Sequence, residues 1–184
     1  MDILEIRNIT KQLLRDGKPS VEKLEQALPY CKELYEVFGN TNDLWDVHQY
    51  ANCLKQLGNL DEVLIMCGVD ERFIPCIDFG HLNARTHGGL ETYEDFETVL
   101  NSIENALGAD RLKVYHSHFS KIQYTDGGEK CHLTFEDEQY GPDFDFLAEL
   151  IYKKGLTPIT VCESAGTQAE DALVMKKMYL EQKI

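Results

Sequence analysis

The chain has 184 residues, enough for one domain with a substantial core, and its 43% hydrophobic content is that of an ordinary soluble globular protein. Lys plus Arg is 18 against 32 Asp plus Glu, a net charge of −14, so the overall field repels polyanions and argues against passive, non-specific nucleic-acid binding; a DNA partner would need local help from metal ions or a small basic patch. No apolar run approaches a membrane span, the amino terminus is charged from Asp2, and the six cysteines contain no Cys-x-x-Cys pair; the expectation is a reduced, cytoplasmic single domain, 1–184, without a membrane partner.

The first third reads as helical. Ile3, Ile6, Ile9 and Leu13 recur at helical spacing over 2–16 and Gly17 ends the run. Pro19 and Ser20 restart the chain into a second stretch with Leu24, Leu28, Leu34 and Val37, interrupted by Pro29 and stopped at Gly39-Asn40. A third helix is expected after Thr41, with Leu44, Val47, Ala51 and Leu54 before Gly58. Asn59 with Glu62 three residues on reads as an N-cap and its partner, opening a short helix through Val63, Leu64 and Met66.

From Phe73 the pattern changes to short apolar runs alternating with capped amphipathic helices, the signature of βαβ units and a parallel sheet. Strands are expected at 73–78, 111–116 and 158–163. Between the first two, Thr92 caps a helix with Phe96, Val99, Leu100, Ile103 and Leu107 on one stripe, ended by Gly108. Pro142 and Asp143 open another with Phe146, Leu147, Leu150 and Ile151, and a last helix over 168–182 carries Ala172, Leu173, Met175, Met178 and Tyr179. Between Ser120 and Phe135 an alternating stretch turns at Asp126-Gly127-Gly128, a hairpin. The organisation is a helical region, 1–68, followed by strand-helix units over 73–184.

Chemistry-bearing residues collect where these strands should end. The first closes on Asp78 with His81 three residues on; Tyr115-His116-Ser117-His118 closes the second; Glu129-Lys130-Cys131-His132 follows in the hairpin; the third closes on Cys162-Glu163-Ser164. Parallel α/β proteins place their sites at the carboxyl ends of strands, so imidazoles and carboxylates gathering there point to a metal centre. Those ligand types suit zinc or manganese and do not choose between them. His118 shares the parity of His116 only if the strand continues, and reads as a group behind the ligands or on the surface. His87 reads as a loop residue, Tyr124, Tyr140 and Trp45 as packing, and Arg85, in the turn after His81, as a bidentate phosphate donor or a surface ion pair.

Residues 73 to 180 resemble the last third of the endonuclease IV-like barrels, the superfamily that also holds xylose isomerase-type sugar enzymes. IDFGHLNAR, HSHFSKIQYTDGGEKCHL and CESAG resemble a branch of abasic-site endonucleases. The resemblance implies a partial (β/α) TIM-barrel-like α/β fold with about three parallel strands and a helical N-terminal third, since a full barrel needs about 250 residues. It implies that Asp78, His116 and Glu163 hold one ion and His81, His132 and an acid a second, with zinc or manganese present as one or two ions. In the family the loop acid stands two before its histidine, whereas Glu129 stands three before His132; Asp126 is the alternative acid. Gln49, beside His48, falls where the family has a central Glu ligand.

The implied activity is metal-dependent hydrolysis of DNA at abasic sites, with Glu163 both a ligand and a group that orients water and with Arg85 at the phosphate. A sugar isomerase or epimerase acting on a small sugar is the alternative, which an acidic surface suits. A non-catalytic, truncated metal-binding half-barrel is the third reading, its open sheet edges covered in a homodimer that completes the sheet.

Overall fold

The computed structural model describes residues 2–14, 20–38, 50 and 60–183, and the chain divides into two compact units, Met1–Val69 and Asp70–Ile184. The division falls where the helical pattern gives way to the strand-helix pattern. Among the described residues, no helix is long and apolar enough to cross a membrane.

The first unit holds α1 (Ile3–Leu13), α2 (Val21–Glu33) and α3 (Asp61–Gly68). Asp2 caps α1 by accepting from the amides of Leu4 at 2.8 Å and Glu5 at 2.9 Å, and Ser20 caps α2 by accepting from Lys23. Pro29 does not interrupt α2; the helix runs through it and then widens into a π-helical turn, Leu34–Phe38. Leu24, Ala27, Cys31 and Tyr50 form a core, with Leu13, Leu14, Leu28, Tyr35 and Ile65 packed against it. The last short helix begins at Asp61, with Leu60 rather than Asn59 at the cap position. Gly17, Pro19, Gly39, the helix expected after Thr41, and Trp45, His48, Gln49 and Asn59 lie outside the described residues.

The second unit is mixed α/β. Its elements are β1 (Cys76–Asp78), α4 (Phe79–Arg85), α5 (Tyr93–Leu107), α6 (Ala109–Lys113), β2 (His116–Phe119), β3 (Ile122–Thr125), β4 (Gly128–His132), α7 (Asp145–Lys153), β5 (Ile159–Cys162) and α8 (Gln168–Glu181). β1, β2 and β5 form a parallel sheet in the order β1-β2-β5, and β3 and β4 form an antiparallel hairpin. Thr92 closes a capping box with Asp95 at the start of α5, whose Phe96, Val99, Leu100, Ile103 and Leu107 are all buried, as the sequence pattern predicts.

Two strands depart from expectation. The first is confined to Cys76–Asp78 because Pro75 has no amide to donate; its carbonyl accepts from His116 at 2.9 Å, while Phe73 and Ile74 are exposed. The second starts, rather than ends, at His116. Gly108, at φ 86°, breaks α5, but Ala109, Arg111, Leu112 and Lys113 are strong helix formers and make a further helical turn that buries Leu112. Along α8 the inward side carries Asp171 and Met175, while Ala172 and Leu173 are exposed.

The sheet has two unlike faces. Ile77, Ser117, Phe119 and Cys162 are buried, and the Ser117 and Thr160 hydroxyls are hydrogen-bonded at 2.8 Å on that side. Phe79 organises the core below, with ring centres 5.6 Å from Phe96, 6.4 Å from Tyr115 and 6.2 Å from Phe119, and Phe119 stacks edge-on to Phe144 at 4.9 Å. The opposite face carries Cys76, Asp78, His116, His118, Ile159 and Val161, because side chains alternate along each strand and the register aligns them across it. Ile159 and Val161 are exposed there.

Gly80 sets how closely α4 approaches the loop after β2. A Cβ at this position would lie 2.6 Å from the Ser120 carbonyl oxygen and 3.1 Å from Ile122 Cδ1, and backbone cannot yield as a side chain can. Gly80→Ala is expected to lower the unfolding free energy by about 1–3 kcal/mol, the usual cost of overpacking, seen as a lower urea midpoint at unchanged slope. Gly68→Ala, with open space around the new methyl, should leave the midpoint unchanged or raise it slightly.

Candidate metal centre

Asp78 ends β1 and N-caps α4. Its Oδ1 accepts from the His81 amide at 2.9 Å, which fixes the carboxylate and leaves Oδ2 facing the imidazoles: 3.6 Å from His81 Nε2 and 3.7 Å from His118 Nδ1. His118 lies level with Asp78 because β1 and β2 pair Asp78 with His118, one residue pair beyond Cys76 with His116. Glu163 follows β5 directly, and its amide donates to the Phe119 carbonyl at 3.0 Å, continuing the pairing by one step. That places its Oε1 3.1 Å from His118 Nδ1.

The hairpin supplies the other side. Tyr124 pairs with Glu129 but Gln123 with Cys131, so the ladder slips by one residue and Lys130 is the extra one in a bulge. In a regular strand, residues three apart point to opposite faces. Here His132, opposite Ile122, and Glu129, opposite Tyr124, share a face. The bulge thereby resolves the unusual spacing of this acid and this histidine.

Two imidazoles are oriented by outside partners. His132 Nδ1 is 2.8 Å from Ser120 Oγ, and His81 Nδ1 contacts Glu129 Oε2, so each ring leaves Nε2 for the site. Fixing one ring nitrogen so that the other is presented is the usual support of a metal-ligating histidine.

The donor atoms fall into overlapping groups. Asp78, His118 and Glu163 lie within 4.8 Å of one another, as do His81, His132 and Glu163, and Glu163 is common to both. Of the expected ligands, Asp78, His81, His132 and Glu163 come together. Glu129 stands behind His81 rather than among the donors, and Asp126 is exposed in the hairpin turn. His116 does not join Asp78 and Glu163; it groups with Cys76 and His118. The place expected for His116 is taken by His118, because β2 continues past 116. The alternation of His116 and His118 was the available signal, and the strand boundary decided between them. Arg85 is exposed in the last turn of α4. His87 is a loop residue at φ 53°, and Tyr124 packs against Tyr140 at 5.4 Å.

Asp171, which the sequence pattern does not single out, braces the loop that carries Glu163. It is buried, and its Oδ2 accepts from the Phe135 amide at 3.1 Å and from Thr167 Oγ1 at 2.8 Å. Burial raises its carboxyl pKa, but hydrogen bonds from Ser164, the Phe135 amide and Thr167, with the Lys121 charge, outweigh it and hold the group below its ordinary value. Partial desolvation, with the Asp78 and Glu163 charges, pushes the Cys76 thiol up.

No family model matches the chain, and no solved structure matches it. It is 32% identical over 121 residues to an uncharacterized protein of Methanocaldococcus jannaschii; the match covers 66% of this chain and 43% of that relative. The chain therefore spans less than half the length of the relative it matches.

Asp171→Asn should cost about 1–3 kcal/mol at neutral pH, the penalty for weakening a buried hydrogen-bonded carboxylate. Because the folded pKa lies below the unfolded one, the stabilisation is fully present above the ordinary carboxyl value of 3.8 and is lost as pH falls through the folded value. Urea unfolding of both proteins should show their difference constant near neutrality and shrinking in acid.

Proposed function

We propose that this chain is the metal-bearing part of a (β/α) barrel-like phosphodiesterase that hydrolyses DNA at abasic sites, in keeping with the resemblance of IDFGHLNAR, HSHFSKIQYTDGGEKCHL and CESAG to the abasic-site endonucleases. The observation that carries the reading is Glu163, one carboxylate common to two donor groups, one completed by the Asp78 carboxylate and the His118 imidazole and the other by the imidazoles of His81 and His132. Two oxygens on one carboxylate suit it to serve two cations at once.

The donor set fits zinc or manganese. Asp78, His118 and Glu163 would hold one ion, and His81, His132 and Glu163 the other, with Ser120 and Glu129 fixing the rings. Bound ions of this kind neutralise phosphate charge and bring the pKa of a coordinated water towards neutrality. The protein's own residues do the positioning: Asp78 stays anchored to the His81 amide, and Glu163 stays anchored through the strand pairing and the Asp171 brace, while a role for Arg85 at the phosphate rests on the resemblance alone.

The chain's net charge of −14 is the observation that favours a second reading, a sugar isomerase or epimerase, since a small neutral sugar needs no basic groove. Exposed Ile159 and Val161 on the face that carries the donors support a partial barrel, completed by further chain or by a second copy.

The protein, stripped with chelator and reloaded with zinc or manganese, should nick a plasmid carrying abasic sites. His118→Ala and Glu163→Gln should each lower the rate by about a hundredfold or more, and Glu129→Gln by about 10–100-fold, as expected for loss of an orienting partner. His116→Ala should nick at near the parent rate, which separates the donor set drawn here from one built on His116. No nicking with metal demonstrably bound would overturn the reading, and metal-dependent exchange of deuterium from solvent into a ketose would establish the isomerase instead.

A further inference from the structure

A third donor group lies one residue pair deeper along the sheet. Cys76 pairs with His116 across β1 and β2, and His118, two residues on, projects from the same face of β2. The rings of His116 and His118 are 5.4 Å apart, and one donor atom each from Cys76, His116 and His118 lies within 4.8 Å of the others. In a tetrahedral zinc site with bonds of about 2.0–2.3 Å, donor atoms sit roughly 3.3–3.8 Å apart, so small side-chain rotations would suffice.

The proposed two-ion centre makes no use of Cys76 or His116. Yet both stand on the open face, Cys76 exposed and His116 half-buried, where an ion arriving from solvent can reach them. Among the described residues no other cysteine joins a group of candidate metal donors; Cys31, Cys67 and Cys162 are buried, and Cys131 hydrogen-bonds Gln123 on the hairpin.

We infer that Cys76, His116 and His118 form an alternative site, sharing His118 with the first, for a thiophilic cation of the zinc, cobalt or copper(I) class. One sulfur and two imidazole nitrogens make a donor set softer than the groups around Glu163, each of which includes at least one carboxylate and no sulfur, and one that magnesium, calcium and manganese would not favour. Binding needs the thiolate, so the Cys76 proton leaves to solvent as the ion enters. His118 belongs to this group and to the one with Asp78 and Glu163. Occupation of the thiolate site therefore draws on the same imidazole, and the two compete for it.

Cobalt(II) titrated into the full chain under reducing, oxygen-free conditions distinguishes the sites, because only a thiolate ligand adds an intense near-ultraviolet charge-transfer band. The band should grow to saturation in the parent protein. Cys76→Ser should abolish it while the weaker visible absorption of cobalt held by imidazole and carboxylate remains, and His116→Ala should raise the cobalt concentration needed to reach half the band about tenfold or more. A parent protein that binds cobalt without the band, or a band that survives Cys76→Ser, would overturn the inference. The readout is sulfur coordination and not turnover, so it stands or falls apart from the nicking assay.

Discussion

The parallel register between β1 and β2 is the constraint on which the site depends. Pairing Asp78 with His118 puts a carboxylate and an imidazole side by side on one face, while Ile77 and Ser117 turn into the core. A slip of one residue would send every one of these groups to the opposite side. The rings of Phe79, Phe96, Tyr115 and Phe119 pack together in the core below, and on the other side of β2 the Glu163 amide extends the pairing with β5 at Phe119.

Around that register each remaining donor is placed by a local device. Asp78 caps α4 and so ties His81 to the end of β1. Gly80 lets the same helix sit against the Ser120 backbone, near enough for His81 and His132 to meet with ring centres 5.3 Å apart. The bulge at Lys130 turns Glu129 and His132 to one side, and Asp171 joins the loop after β5 to the chain after the hairpin. These are individually small effects, a cap, a missing methyl, an extra residue and a buried carboxylate. They act on one cluster, so damage to any of them reaches the donors.

The open face of the sheet follows from the same alternation. Parallel sheets are ordinarily covered on both sides, and here the side bearing the imidazoles also bears exposed Ile159 and Val161. A layer of polar donors cannot be sealed by apolar packing without losing solvation, whereas cations would satisfy it. The face therefore combines apolar residues suited to a covering layer with donors suited to ions.

The sequence alone was enough for the buried stripe of α5, the Thr92 cap, the hairpin with its Asp126-Gly127 turn, and the clustering of Asp78, His81, His132 and Glu163, because periodicity, capping and turn chemistry act over a few residues. It was not enough to choose His118 over His116. That choice depends on where β2 starts, and the helix-forming residues of Ala109–Lys113 compete locally with a strand whose position is set by partners about 40 residues away on either side. The role of Glu129 likewise rests on a bulge, which exists only when two strands pair. No local pattern marks the roles of Asp171 and Gly80: one matters for what it accepts across the fold, the other for what comes within 2.6 Å of a side chain it lacks. Local chemistry settled which residue types could bind a cation, and long-range pairing decided which of them meet.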